Sequence, residues 1–451
     1  MNTRIARCKR KDEVPKLRNG KPDKFSAWLL LFVLASLSIS ISLGLQQSEK
    51  AISNVGTIST STLLAKSGSA QDIQTAVNTA AATGISNVYI PAGNFNFVEV
   101  GVPWTTVNIP AGINVFGDPT TKNASGQVTQ WKTNLLMPYD VPGPPDNPAT
   151  WFTINGNGNP NKHSRFSDIQ LIGYRYYNNT SNTVHTALNI ANVVDFRIDH
   201  CSFQDTTGGI WVGGDGNVPS CGVIDHCRLV NSRVFVSSWV YDCDVGYGVG
   251  MARAMAGGTT IWESNIDNVL GKYLNYSIYI EDCYFSKWRH CTSSNDGQHV
   301  VFRHNIVADD AAYASCDAHG SYAESTHPNR VGTRAYEIYD NQFLTPNSGM
   351  SDSPGVKLAI HIRGGGGVIF NNTVKDHIQF IWLSNDAGNE DFVPQCKTHD
   401  LWIWNNNLVN VTYTDPQVQS PDIVQNQDYY LSAKLGYTQY VYPHPLTLVP
   451  P

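Results

Sequence analysis

A six-residue pattern recurs along the second half of this 451-residue chain and restricts its fold more than any other feature. It reads Ile-Asp-His-Cys-Ser-Phe from Ile198, Ile-Asp-His-Cys-Arg-Leu from Ile224 and Ile-Glu-Asp-Cys-Tyr-Phe from Ile280. It returns as Phe-Arg-His-Asn-Ile-Val from Phe302, Ile-Tyr-Asp-Asn-Gln-Phe from Ile338 and Ile-Phe-Asn-Asn-Thr-Val from Ile369. Weaker copies start at Val240, Trp262 and Trp404. Aligning the Cys/Asn position gives Cys201, Cys227, Cys243, Asn265, Cys283, Asn305, Asn341, Asn372 and Asn407, with steps of 26, 16, 22, 18, 22, 36, 31 and 35 residues.

A basic period near 22 residues, built on short runs of β-branched and aromatic residues, is the mark of a β-solenoid. No useful stretch of 3.6-residue periodicity interrupts it. The reading is an all-β right-handed parallel β-helix in which like positions of successive coils stack. Apolar positions face the core, and the Cys/Asn position falls at an inward bend. There an Asn amide bonds along the stack and a Cys acts as a small buried hydrophobe, so the cysteines are expected to be reduced. An open solenoid end exposes strand edges and needs a cap. The segment from Ser69 supplies one, with Ile73, Val77 and Ala80 or Ala81 on one apolar helix face.

The N-terminus is of another character. Residues 1–24 carry nine Lys or Arg against three Asp or Glu, leaving 22 basic against 34 acidic residues for the rest. An acidic body is a poor footprint for nucleic acid. Phe25 to Leu45 is 21 residues without a charge, long enough at about 1.5 Å per residue to cross a bilayer. The basic cluster before it keeps the N-terminus inside and places the remainder outside; a cleaved signal is the rival reading. The organisation expected is therefore a basic cytoplasmic segment (1–24), a transmembrane anchor or signal (25–45), a linker (46–64), the β-helix (65–446) and a short tail (447–451).

Residues 309–330 gather seven ionisable side chains, Asp309, Asp310, Asp317, His319, Glu324, His327 and Arg330, in a chain only 15% charged. The step from Asn305 to Asn341 is 14 residues longer than the basic period, and insertions in a solenoid go to loops on one face, often the binding face. In Leu-Ala-Ile-His-Ile-Arg from Leu358, inward Ile360 and Ile362 leave His361 and Arg363 outward. The preceding coil offers Asp317 and His319 on the same face, with Trp382 further along and Trp211 towards the other end. Such a lane suits a sugar chain, because indoles stack on pyranose rings while charged groups orient hydroxyls or carboxylates. Glu337, near Arg334, is a further candidate acid. No Gly-x-Ser-x-Gly elbow, His-Glu-x-x-His site or phosphate loop occurs.

The cap leading into Val-Tyr-Ile-Pro-Ala-Gly at 88–93 resembles the start of pectate-lyase-superfamily β-helix proteins. The stretch Tyr279 to Asn305, then Asp-Ala-His-Gly at 317–320 and Gly-Thr-Arg-Ala-Tyr-Glu-Ile-Tyr-Asp-Asn-Gln-Phe at 332–343, resembles a bacterial and archaeal group within that superfamily. Leu-Gly-Tyr-Thr-Gln-Tyr-Val-Tyr-Pro-His-Pro-Leu at 435–446 resembles the tail that commonly ends them. The resemblance implies the fold over roughly 65–446 and leaves the reaction open, since such folds host lyases, hydrolases and adhesins. A pectate-lyase-like site implies Arg363 as base, with Ca²⁺ held by Asp309, Asp310 and Asp317. A polygalacturonase-like hydrolase needs two carboxyl groups. The order Ser294-Asn295-Asp296, Asp309-Asp310, Ala318-His319-Gly320 and Arg363 is loosely similar to that family's motifs.

The expectation is a cell-surface protein that acts on a polysaccharide, first as a lyase on a uronate-containing glycan. The catalytic candidates are Asp310, Asp317, His319, Arg363 and Glu337; the substrate-binding candidates are Trp211, Arg334, His361 and Trp382. The alternatives are a glycoside hydrolase and a non-catalytic glycan-binding or adhesin-type surface protein.

Overall fold

The structure, a computed structural model, describes residues 62–449 except 100–101, 103, 125, 138–148, 157–162, 174–184, 207, 215–218, 232–245, 252–263, 309–313, 321–330, 345–356 and 386–396. The expected anchor at 25–45, together with Cys8, Cys243, Cys396, Asp309 and Asp310, lies outside these residues. Among the described residues no helix is long and apolar enough to cross a membrane.

Three large sheets of twelve, ten and ten strands run the length of the solenoid among the described residues, and every pairing within them is parallel. One coil shows the plan. Phe196–Asp199 lies in the first sheet, Ser202–Gln204 in the second and Gly208–Gly213 in the third, before Gly222–Asp225 returns to the first. The expected parallel β-helix is the observed fold.

The recurring hexapeptide makes the corner between the first and second sheets. Its third residue adopts a left-handed conformation at His200, His226, Asp282, His304, Asp340, Asn371 and Asn405, with φ between 51° and 56°. Asn, Asp and His are the side chains that tolerate this region best after Gly. That bend turns the next residue inward. Asn341 Oδ1 accepts from the Asn305 backbone N–H at 2.9 Å, and Asn372 Oδ1 accepts from that of Asn341 at 3.1 Å. Asn406 continues the ladder, accepting from Asn372 N–H at 3.0 Å. Asn406 is therefore the rung, one residue before the expected Asn407, because the run of three asparagines carries no internal marker.

Towards the N-terminus the ladder is made of thiols. Cys283 Sγ accepts from the Cys227 N–H at 3.4 Å, and Cys201, Cys227 and Cys283 are buried and unbridged. The rungs at 227 and 283 are direct neighbours, since Gly222–Asp225 pairs with Ser277–Glu281. The expected rung at Asn265 is not one; Asn265 instead caps a short 3-10 turn, Ile266–Asn268. Among the described residues the chain between these rungs makes one coil, with Arg228–Val230 in the second sheet and Tyr247–Met251 in the third, where the pattern suggested three.

The N-terminal end is closed by the helix Ala70–Thr83. Ser69 caps it by accepting from Asp72 N–H, and Gly84, at φ 72°, ends it. Ile73, Ala76, Val77 and Ala80 are buried against the first coils; Ile73 and Val77 contribute roughly 1.5–3 kcal/mol each. The solenoid starts earlier than residue 65, as strand Thr62–Leu64 pairs with Asn87–Tyr89.

The C-terminal segment crosses the outer face of the first sheet. Tyr437, Tyr440 and Leu446 pack there on Tyr279, Tyr339 and Phe370. Buried Arg303 donates to the carbonyls of Tyr440 and Val441 at 2.8 and 2.9 Å and pairs with Glu281 at 2.6 Å. Glu281 also accepts from His444 N–H at 2.8 Å. The C-terminal segment thereby covers part of the first sheet's outer face.

Candidate functional site

Successive residues of a strand point to opposite faces, and parallel register stacks the outward ones of the third sheet into a column. Trp211 pairs with Gly250, Gly250 with Ser293, Ser293 with Asp317, Asp317 with His361, and His361 with Trp382. At about 4.8 Å per rung the two tryptophans stand roughly 24 Å apart. Their counterparts on the other face, Val249, Thr292, Cys316, Ile360 and Ile381, fill the interior.

A second outward column lies two residues on. His319 N–H donates to Ser294 O at 2.9 Å, Arg363 N–H to Ala318 O at 2.8 Å and Ser384 N–H to Ile362 O at 2.9 Å. His319, Arg363 and Ser384 therefore sit one coil apart in succession, beside Ser293, Asp317, His361 and Trp382.

Asp317 is the hub where the columns meet. Its Oδ1 accepts from Arg363 Nε at 3.1 Å and its Oδ2 from Arg363 Nη2 at 2.7 Å, a two-bond ion pair across neighbouring coils. His319 Nε2 lies 2.9 Å from Oδ2, His290 Nε2 3.4 Å from Oδ2 and His361 Nδ1 3.7 Å from Oδ1. Burial acting alone would raise the Asp317 pKa; Arg363, His319 and His290 outweigh it and hold the carboxyl well below the usual range.

The surrounding groups differ in what they offer. His290 donates from Nδ1 to Ala314 O at 2.7 Å, and burial pushes its pKa down to about 3 against the pull of Asp317, so it is a neutral supporting ring. His361 stacks on the Trp382 indole, centroids 5.0 Å apart at 19°, and its Nε2 meets Ser384 Oγ at 2.9 Å. The side chains that reach solvent are His319, 24% exposed, and Arg363, 16% exposed, while Asp317 is closed off. At the far end Trp211 lies flat over Gly250, where a Cβ would stand 2.4 Å from its ring carbon Cε3.

Asp317, His319, His361, Arg363, Trp382 and Trp211 thus stand on one face of the third sheet, with Asp317 and His361 buried on it. Glu337 and Arg334 are not on it. Glu337 lies on the first sheet beneath the C-terminal segment, fully buried, and accepts from Gly271 N–H at 2.7 Å and Tyr437 Oη–H at 2.5 Å. Arg334 is buried where the chain enters the first sheet. His290 and Ser384 escaped the sequence reading. Ser384 carried a usable signal, since it stands two residues after Trp382 and shares its face.

The donor set does not fit a Ca²⁺ held by Asp317, because both of its oxygens are committed to Arg363. Among the described residues no group of three or more His, Cys, Asp or Glu is placed to hold a metal ion.

No family model and no curated protein matches the chain. Solved structures do. A tailspike protein of Escherichia coli bacteriophage HK620, in complex with a pentasaccharide, is 15% identical over 78% of this chain, with a TM-score of 0.46; the chain spans 55% of that tailspike. The alginate lyase of Paenibacillus sp. FPU-7 is 10% identical, with 80% of this chain and 100% of the lyase covered and a TM-score of 0.42. PfbA, a surface adhesin of Streptococcus pneumoniae, is 13% identical, with 79% and 93% covered and a TM-score of 0.39. Similarity at this level assigns no reaction.

Proposed function

We propose that the chain is a cell-surface polysaccharide lyase, anchored by its N-terminal apolar segment, that breaks a uronate-containing glycan by β-elimination. The observation that carries this reading is the bidentate Asp317–Arg363 pair with partly exposed His319 against it, set midway along a lane that ends in Trp211 and Trp382. An extended chain of sugar rings matches a track of about 24 Å with indoles at both ends.

Elimination needs a base for the proton α to the uronate carboxylate and a positive group to stabilise the charge that develops there. His319 is the base in this reading. Its Nε2 contact with Asp317 at 2.9 Å and the Arg363 guanidinium against the ring hold it in place. Arg363 neutralises the substrate carboxylate. It is ill suited to the base role that the pectate-lyase likeness implies, since an arginine held against a buried carboxylate keeps its proton. The electron pair of the broken C–H bond forms a C=C bond as the glycosidic C–O bond breaks, and the departing oxygen takes up a proton from water or from the protonated His319, giving an unsaturated uronate and a new reducing end. Both Asp317 oxygens bond Arg363, which leaves this carboxyl poorly placed to protonate a glycosidic oxygen in hydrolysis.

The test incubates the full-length chain with uronate-containing and neutral polysaccharides, following ultraviolet absorbance and reducing ends together, with and without a chelator. Chelator-resistant absorbance that is lost in His319→Ala supports the proposal. New ends without absorbance move the activity to hydrolysis, and glycan binding without either signal makes the protein a binder.

A further inference from the structure

The elimination reading gives no role to one polar contact of the lane, that of Ser384 Oγ with His361 Nε2 at 2.9 Å. We propose that Ser384, His361 and Asp317 form a serine-hydrolase relay that removes small acyl esters, acetyl above all, from the glycan lying in the lane. The three residues come from three successive coils. Asp317 and His361 are register partners, His361 and Trp382 are the next pair, and Ser384 follows Trp382 by two residues on the same face. The order along the diagonal is carboxylate, imidazole, hydroxyl.

A hydroxyl that donates to Nε2 requires the ring proton on Nδ1, and Nδ1 faces Asp317 Oδ1 at 3.7 Å. That distance is long for a hydrogen bond, and catalytic bonds commonly tighten only when substrate is bound. Asp317 is held ionised by Arg363, so it orients the ring and stabilises the imidazolium. Stacking on Trp382 fixes the plane of the ring. Arg363 stands one coil before Ser384 in the same outward column, so a positive charge lies in the neighbouring coil of the relay. Ser384 is 5% exposed and His361 4%, which limits the acyl group to a small one.

The chemistry balances without a further reactant except water. Ser384 Oγ bonds to the ester carbon as its proton passes to His361 Nε2. The tetrahedral intermediate collapses, the sugar oxygen leaves with that proton, and an acyl-serine remains. Water, deprotonated by His361, then attacks the acyl carbon and releases the free acid and Ser384. The relay shares Asp317 with the elimination reading, but it needs no uronate. Acetate release from a neutral acetylated glycan and formation of an unsaturated uronate are separate signals, and either can fail alone.

The test treats the full-length chain with a fluorophosphonate probe and maps the adduct by peptide mass, alongside release of p-nitrophenolate from p-nitrophenyl acetate and of acetate from an acetylated neutral polysaccharide. The expected result is a single adduct on Ser384. Ester hydrolysis should fall by about 1,000-fold or more in Ser384→Ala and in His361→Ala, the scale on which a working nucleophile and base are felt. Folded wild-type protein that takes no label at Ser384 and hydrolyses neither ester faster than Ser384→Ala overturns the proposal. That outcome needs no unstable variant, because the labelling is read on the unaltered chain.

Discussion

Asp317 and Arg363, 46 residues apart in sequence, meet across adjacent coils through two hydrogen bonds of 3.1 and 2.7 Å, with the carboxylate fully enclosed. The pair is the electrostatic centre of the lane and part of its scaffold. Removing the guanidinium leaves a buried anion that His319 alone contacts within 3 Å.

Arg363→Ala is therefore expected to destabilise the fold by about 3–5 kcal/mol, the cost of stranding one partner of a buried pair. Asp317→Asn in the Arg363→Ala background removes the stranded charge and should restore part of that loss. Urea unfolding of the two single variants and the double variant measures the coupling. Additive losses would show that the two side chains do not act as a pair.

Acid should weaken the fold well before carboxylates titrate. His290 and His444 have pKa values pushed down to about 3, by burial first in both; Asp317 opposes this at His290, and Arg303 and Arg197 add to it at His444. An unfolded chain binds the proton near pH 6.5. The stabilisation from keeping each ring neutral is thus present above pH 6.5 and is lost as pH falls from there towards 3. Each ring makes stability drop by up to about 1.4 kcal/mol per pH unit across that window. The depressed Asp317 carboxyl adds its own loss only below about pH 3.9, where the unfolded side chain starts to hold its proton. His444 accepts from Leu446 N–H, so His444→Asn keeps an acceptor without the titration. Urea midpoints between pH 7.5 and 5 should fall less steeply in that variant. An unchanged slope would show that His444 is protonated alike in both states.

The asparagine ladder predicts an order among substitutions at one rung. Asn341 bonds the Asn305 backbone N–H and donates to Phe302 O and Tyr339 O, at 2.9, 2.8 and 3.0 Å. Asn341→Leu orphans these groups, and each buried polar group left unmet costs about 1–3 kcal/mol. Asn341→Cys should be milder, because Cys283 fills the same position and accepts from a neighbouring N–H through its sulfur. Thermal unfolding ranks the two. Equal losses would mean that volume alone governs the rung.

Much of this was legible in the chain, and the failures have physical causes. The hexapeptide encodes its corner locally, through a residue that tolerates positive φ and an inward one after it, so the coil stack could be read from Ile198 to Val374. Alternation in Leu-Ala-Ile-His-Ile-Arg correctly put His361 and Arg363 outward, since period-2 geometry is likewise local. The same rule put Glu337 outward, and it is; what hides it is Tyr437, 100 residues later, a contact no local pattern encodes. Asn265 matched the rung composition while serving as a helix cap, because Asn suits both positions. His290 was missed because its part in the site comes from a carboxylate one coil away.

The lane itself makes the last prediction. Gly250 leaves its place in the outward column without a side chain, and the Trp211 indole fills the vacant space over it. A methyl group at 250 would stand 2.4 Å from Cε3 and 2.5 Å from Cζ3 of that ring, so Gly250→Ala must swing the indole off the sheet. The backbone of Gly250 does not lie at positive φ, and alanine is therefore tolerated by the chain there. The expected outcome is a folded protein with glycan affinity about 5- to 10-fold lower, the worth of roughly 1 kcal/mol of lost ring stacking. Trp382→Ala should lose at least as much, because that indole also holds His361. Affinity electrophoresis in polysaccharide gels reads both variants at once. Unaltered mobility shifts in Gly250→Ala and Trp382→Ala together would mean that the glycan does not run along the third sheet.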